Sequence, residues 1–154
     1  MATATLTRRQ VRYASLDEVV ADAERAVSAN SGTTGKWSLG QIIEHLAVAN
    51  DKLIDGFGFR AAWPLRTAGR LFFKKRVLAK GLTPGFNLSP KAAAVLVPGE
   101  TDAAAALVHL RKSTERLKFE QKRSAHPFLG PLTVDECNQL CLRHAELHMS
   151  FVTD

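Results

Sequence analysis

Two histidines four residues apart, His144 and His148, interrupt what otherwise reads as the apolar seam of a helix. That seam runs Val134, Cys137, Cys141, His144, His148, Phe151, in alternating steps of three and four. Burying a polar group without a partner costs roughly 1–3 kcal/mol, so two imidazoles in positions suited to leucine need an explanation. At about 100° per residue the two rings point within about 40° of each other, one turn apart. Both nitrogens can then reach a single ion at about 2.0–2.1 Å. A third ligand must come from another helix. His45 is the candidate, because it flanks the apolar stripe that contains Ile42 and Ala49. Three imidazoles and an open position make a site of the catalytic type, in which bound water ionises near neutral pH. The competing account is a set of core histidines satisfied by hydrogen bonds, and the spacing alone leaves both open.

Other residues could join the site. Cys141 lies one turn before His144 and is either a fourth ligand, part of the pocket lining, or a small buried hydrophobe. Gln41, one turn before His45, could orient a ligand, although a capping role explains it equally. His126, before Pro127, is either a turn residue or an acid–base group at the pocket mouth. Glu146 lies about 200° around the helix from both histidines, so it reads as a surface residue and not as the glutamate of an H-E-x-x-H protease. His109 reads as solvated, and Trp37 as a hydrophobic staple at a helix entrance.

The elements that must position these groups are all helical. Ser15 with Glu18, Ser38 with Gln41, and Thr133 with Glu136 each read as a capping box opening a helix. A further helix begins near Thr101–Asp102, with Ala103, Ala106, Leu107, Leu110, Thr114 and Leu117 on its buried face. Pro64 opens another that runs to Gly81. The stretch from there to Gly99, punctuated by Pro84, Pro90 and Pro98, reads as a loop. Short joints make the first two helices antiparallel neighbours, and likewise the last two. The long connection from about Phe57 to Glu100 can cross the bundle and leave the helices it joins parallel. The expected fold is all-α: an up-down-down-up four-helix bundle, with an additional helix in the crossover, as one domain over residues 1–154.

Composition narrows the function classes. In 154 residues, 45% are hydrophobic and 23% charged, as in ordinary globular domains. No apolar run is long enough to span a membrane, and the polar stretch from Met1 to Gln10 is no secretory signal. These features predict a cytoplasmic protein. Cys137 and Cys141, four apart on one helix, are badly placed for a disulfide and read as reduced thiols. No acidic residue occurs between Gly56 and Gly99, where eight lysines and arginines outnumber the whole chain's net charge of +6. This basic segment reads as a solvated face. The alternative is a surface for nucleic acid, anionic lipid or an acidic substrate, and no recognised nucleic-acid module accompanies it.

Lys36-Trp37-Ser38-Leu39-Gly40-Gln41-Ile42-Ile43-Glu44-His45-Leu46 resembles the second-helix motif of the DinB/YfiT-like superfamily, and Arg143 to Phe151 resembles its final helix. The N-terminal Arg8-Arg9-Gln10-Val11-Arg12-Tyr13 and the loop His126 to Thr133 look like an uncharacterised bacterial branch of it. The resemblance implies an up-down-down-up bundle, often a homodimer. It also implies a divalent ion, zinc, nickel or similar, held by His45, His144 and His148. Characterised members include enzymes that use a low-molecular-weight thiol cosubstrate and metal-dependent hydrolases. The expectation is therefore a metal-dependent enzyme acting on a small-molecule substrate, by thiol transfer or hydrolysis. The alternatives are a non-catalytic metal-stabilised dimerisation or regulatory module, and anionic-surface binding through the basic helix.

Overall fold

The computed structural model describes residues 7–154, and Met1 to Leu6, part of the stretch read as no signal, lie outside it. The elements are helices α1 (Leu16–Ser28), α2 (Leu39–Asp55), α3 (Trp63–Ala68), α4 (Lys74–Lys80), α5 (Pro90–Leu96), α6 (Ala103–Phe119) and α7 (Val134–Met149). A π-helical turn, Gly69–Phe73, joins α3 to α4 without a break, so the described residues form six helical rods. Among the described residues there are no strands, only two isolated bridges. No helix there is long and apolar enough to cross a membrane.

The predicted caps form. Ser38 accepts from Gln41 N while the Gln41 side chain accepts from Ser38 N, and Thr133 and Glu136 do the same. The first helix differs in detail. Ser15 accepts from Glu18 N, but the Glu18 carboxylate reaches Ala14 N rather than the cap itself. The proline-punctuated stretch before Gly99 is not all loop, because Pro90–Leu96 is helical. In α5 the Ser89 hydroxyl caps Ala92 N and Pro90 occupies the first turn. A proline there starts a helix as readily as it punctuates a loop, and the alanines after it favour the helix.

The short joints do not make chain-adjacent helices the main neighbours: α1 touches α2 little and packs on α6 and α7, α7 packs on α2 rather than on α6, and packing is most extensive between α2 and α6, whose register is recorded by paired residues. Gly40 abuts the Thr101 carbonyl, Glu44 meets His109, Asn50 meets Ser113, and Asp51 and Asp55 meet Arg116. Partners rise together along both helices. Between α1 and α6 the order reverses, with Glu24 on Arg111 and Asp17 on Lys118. The order also reverses between α2 and α7, where Trp37 meets His148 and His45 meets His144. Buried apolar residues form two clusters. One contains Ile43, Leu46, Leu110, Ala145 and Met149, the other Ile54, Phe57, Leu117, Cys137 and Cys141. Along α7, His144 stands between Cys141 of one cluster and Ala145 of the other.

His109 is not simply solvated. Its Nδ1 lies 2.8 Å from Glu44 and its Nε2 2.8 Å from Asp51. Partial burial works against its charge, but the hydrogen bonds to Asp51 and Glu44 outweigh this and raise its pKa above 6.5. A raised folded-state pKa contributes stability that is full below the unfolded value and fades as pH rises through the folded one. His109→Gln is therefore expected to destabilise the protein most near pH 6. The gap in urea midpoint should narrow towards about pH 9; a gap independent of pH would contradict the ion-pair account.

Glu146 also departs from the sequence reading. It is buried, 8% exposed, because the chain before α1 folds over that side of α7. Its carboxylate accepts from Tyr13 N at 2.9 Å and from Arg12 at 3.3 Å, and pairs with buried Arg143 at 3.0 Å. Periodicity within α7 correctly turns Glu146 away from the histidines but carries no information about that covering segment. Glu146→Gln is expected to cost about 2 kcal/mol, the usual loss for a hydrogen bond to a charged group, measurable by urea denaturation.

Candidate metal centre

The three histidines converge. Each of His45, His144 and His148 offers a ring nitrogen, and these three atoms all lie within 4.8 Å of one another. The Nε2 atoms of His45 and His144 are 3.0 Å apart. Ring centroids are 4.4 Å apart for His45 and His148, and 4.7 Å for His144 and His148. Nitrogens bound to one ion at about 2.0–2.1 Å in tetrahedral directions stand a little over 3 Å apart, so small ring rotations bring this set to coordination distance.

The tautomer of His45 is fixed. Its Nδ1 donates to the Leu96 carbonyl at 2.6 Å, which leaves the Nε2 lone pair facing the other two rings. Metal-ligating histidines characteristically have their second nitrogen held this way. Burial lowers the pKa of His45, partly offset by the Leu96 bond. Burial, then the charges of His148 and His45, hold His144 well below its ordinary value. Burial, then His45, brings His148 down to about 3. All three rings are thus neutral near pH 7, the form that can donate a lone pair to a cation.

The surroundings divide the remaining candidates. Trp37 stacks on His148, nearly parallel, with centroids 5.6 Å apart, and tilts against His45 at 4.9 Å. It is a wall of the site as well as a helix entrance. Gln41 is committed elsewhere: it completes the α2 cap and donates to the Pro98 carbonyl. Cys141 is outside the three-ligand group. It lies in the apolar cluster beside Cys137, and both cysteines are free thiols. A hydrogen bond to Cys137 and burial raise the Cys141 pKa, which works against the thiolate a metal needs. His126 is a turn residue. Its Nδ1 accepts from the backbone N–H of both Phe128 and Leu129, and burial depresses its pKa to about 4. Near neutrality it is therefore uncharged, with the proton on Nε2.

Leu96 and Trp37 are the site residues that spacing did not reveal. Leu96 contributes only a backbone carbonyl, to which no residue type is a guide. Trp37 lay in plain view, one turn before Gln41 and two before His45, but its staple role accounted for it.

The sequence model of a family described as a protein of unknown function, DUF1569, matches residues 5–154. The chain belongs to this family. No curated protein and no solved structure matches it. The DUF1569 match takes in all three histidines, Trp37 and the crossover that supplies Leu96, so every part of the centre lies within the family's span.

Proposed function

We propose that this DUF1569 protein is a metal-dependent enzyme in which His45, His144 and His148 hold one divalent ion, zinc, nickel or similar. The observation that carries the reading is the convergence of three neutral imidazole nitrogens from two helices, one of them locked by Leu96. When bound, such an ion supplies Lewis acidity, lowering the pKa of a coordinated thiol or water so that it can attack an electrophile at neutral pH. The chain's own residues bind and shield. Leu96 orients His45, Trp37 holds the plane of His148, and the apolar clusters on either side exclude water from the base of the site. His144 and His148 remain only partly buried, which gives a small-molecule substrate an approach. Thiol transfer and hydrolysis are equally compatible with this geometry.

The scaffold we infer is the up-down-down-up bundle of the DinB/YfiT-like superfamily, formed by α1, α2, α6 and α7. The rising register of α2 with α6 and the reversed registers of the other pairs support it. Metal analysis of protein purified without a histidine tag is the direct test. About one equivalent of a divalent metal is expected, retained through gel filtration and absent from His148→Ala. Protein that carries none and takes up none on reconstitution would overturn the proposal.

A further inference from the structure

Among the described residues nine large apolar side chains stand exposed, and five of them, Trp63, Leu65, Leu71, Phe72 and Phe73, lie on the single rod formed by α3, the π-helical turn and α4. Trp63 is 71% and Phe72 73% exposed. The same rod exposes Arg70, Lys75, Arg76 and Lys80, and it lies wholly inside the acid-free segment between Gly56 and Gly99. Its seat is firm. Leu78 is buried, Gly69 lies against the Phe128 carbonyl, Lys74 pairs with Glu136 at 2.8 Å, and Gln139 donates to the Leu78 carbonyl. An anchored helix thus presents aromatic and aliphatic groups among cations, which the reading of this segment as a solvated face does not explain.

We propose that this rod docks the protein onto a bilayer surface rich in anionic phospholipid headgroups, independently of the metal centre. Charge complementarity decides the occupant. Exposed arginines and lysines interspersed with exposed apolar side chains suit a layer whose outside is negative and whose inside is hydrocarbon, and Trp63 has the amphipathic ring favoured at that boundary. A second copy using the same face would set two exposed rows of arginine and lysine against each other. Nucleic acid would answer the cations and stack on the aromatics, but it gives Leu65 and Leu71 nothing to bury against.

The test is co-sedimentation of the full chain with phosphatidylcholine vesicles and with vesicles containing about 30% phosphatidylserine, near 0.1 M salt. Binding is expected only to the anionic vesicles, with a blue shift of tryptophan emission that Trp63→Phe removes. Lys75→Glu/Arg76→Glu is expected to weaken binding at least about tenfold, and so is Leu71→Ser/Phe72→Ser. All four positions are solvent-facing, and circular dichroism checks that both variants fold. Equal binding to both vesicle types, or none to either, overturns the proposal. So does binding to a DNA duplex that outcompetes vesicles and survives Leu71→Ser/Phe72→Ser. A dimer that those serines dissociate, in protein that ignores vesicles, overturns it in favour of an interface between copies.

Discussion

Metal-free protein titrated with zinc or nickel is expected to melt about 5–10 °C higher once the ion is present at some hundredfold its dissociation constant. A ligand that binds only the folded state at that excess contributes about 2.7 kcal/mol, and a chain of this length gains about 2–4 °C per kcal/mol. His148→Ala should remove most of the shift, since one of the three donors is gone. The variant's own metal-free melting point should fall by only a few degrees, because the lost ring makes no hydrogen bond to the backbone and its residue keeps some solvent exposure. His45→Ala is different. It removes both a donor and the hydrogen bond that satisfies the Leu96 carbonyl, so it should also melt lower without metal, by about 1–3 kcal/mol. An undiminished shift in His148→Ala would mean that the ion binds elsewhere.

Gly40→Ala is expected to be more damaging than any exposed substitution, destabilising by about 3 kcal/mol or more and in the limit preventing folding. A Cβ at this position would stand 1.8 Å from the Thr101 carbonyl oxygen and 3.1 Å from Ala103 N. Both are backbone atoms, so no rotamer change relieves the overlap, and α2 must move away from the chain that enters α6. Inserted methylenes in packed cores usually cost 1–3 kcal/mol, and more when backbone must move. Gly99→Ala is the control. Nothing lies within 4 Å of its Cβ, so urea denaturation should barely distinguish it from wild type. Should Gly40→Ala prove equally harmless, the close approach of α2 to α6 is wrong.

The contrast between these positions shows what the sequence could disclose. His144 and His148 were legible because an i, i+4 pair of polar rings contradicts the seam that carries it. Ser38 with Gln41 and Thr133 with Glu136 were legible because a capping box is local. Gly40 was not, since its reason is a carbonyl some sixty residues away. Leu96 was hidden in the same way, and α5 was lost because proline marks both loops and helix starts. Glu146 and His109 were misplaced for a common reason. Helical periodicity assigns a face, and what later packs on that face depends on tertiary structure: the chain before α1 in one case, the carboxylates of α2 in the other.

The intimate pairing of α2 with α6 also bears on how the chain reaches its native state. Asn50 and Ser113 are 63 residues apart in sequence, so their helices meet only after a large loop has closed, and that entropy must be spent before the contacts repay it. No local pairing offers a shortcut, because α1 touches α2 little and packs mainly on α6 and α7, while α7 packs on α2, α4 and α1. Folding should therefore be slow for an all-helical protein of this size, since every large helix–helix contact of the bundle, the one that brings His45 to His144 included, joins residues far apart in sequence.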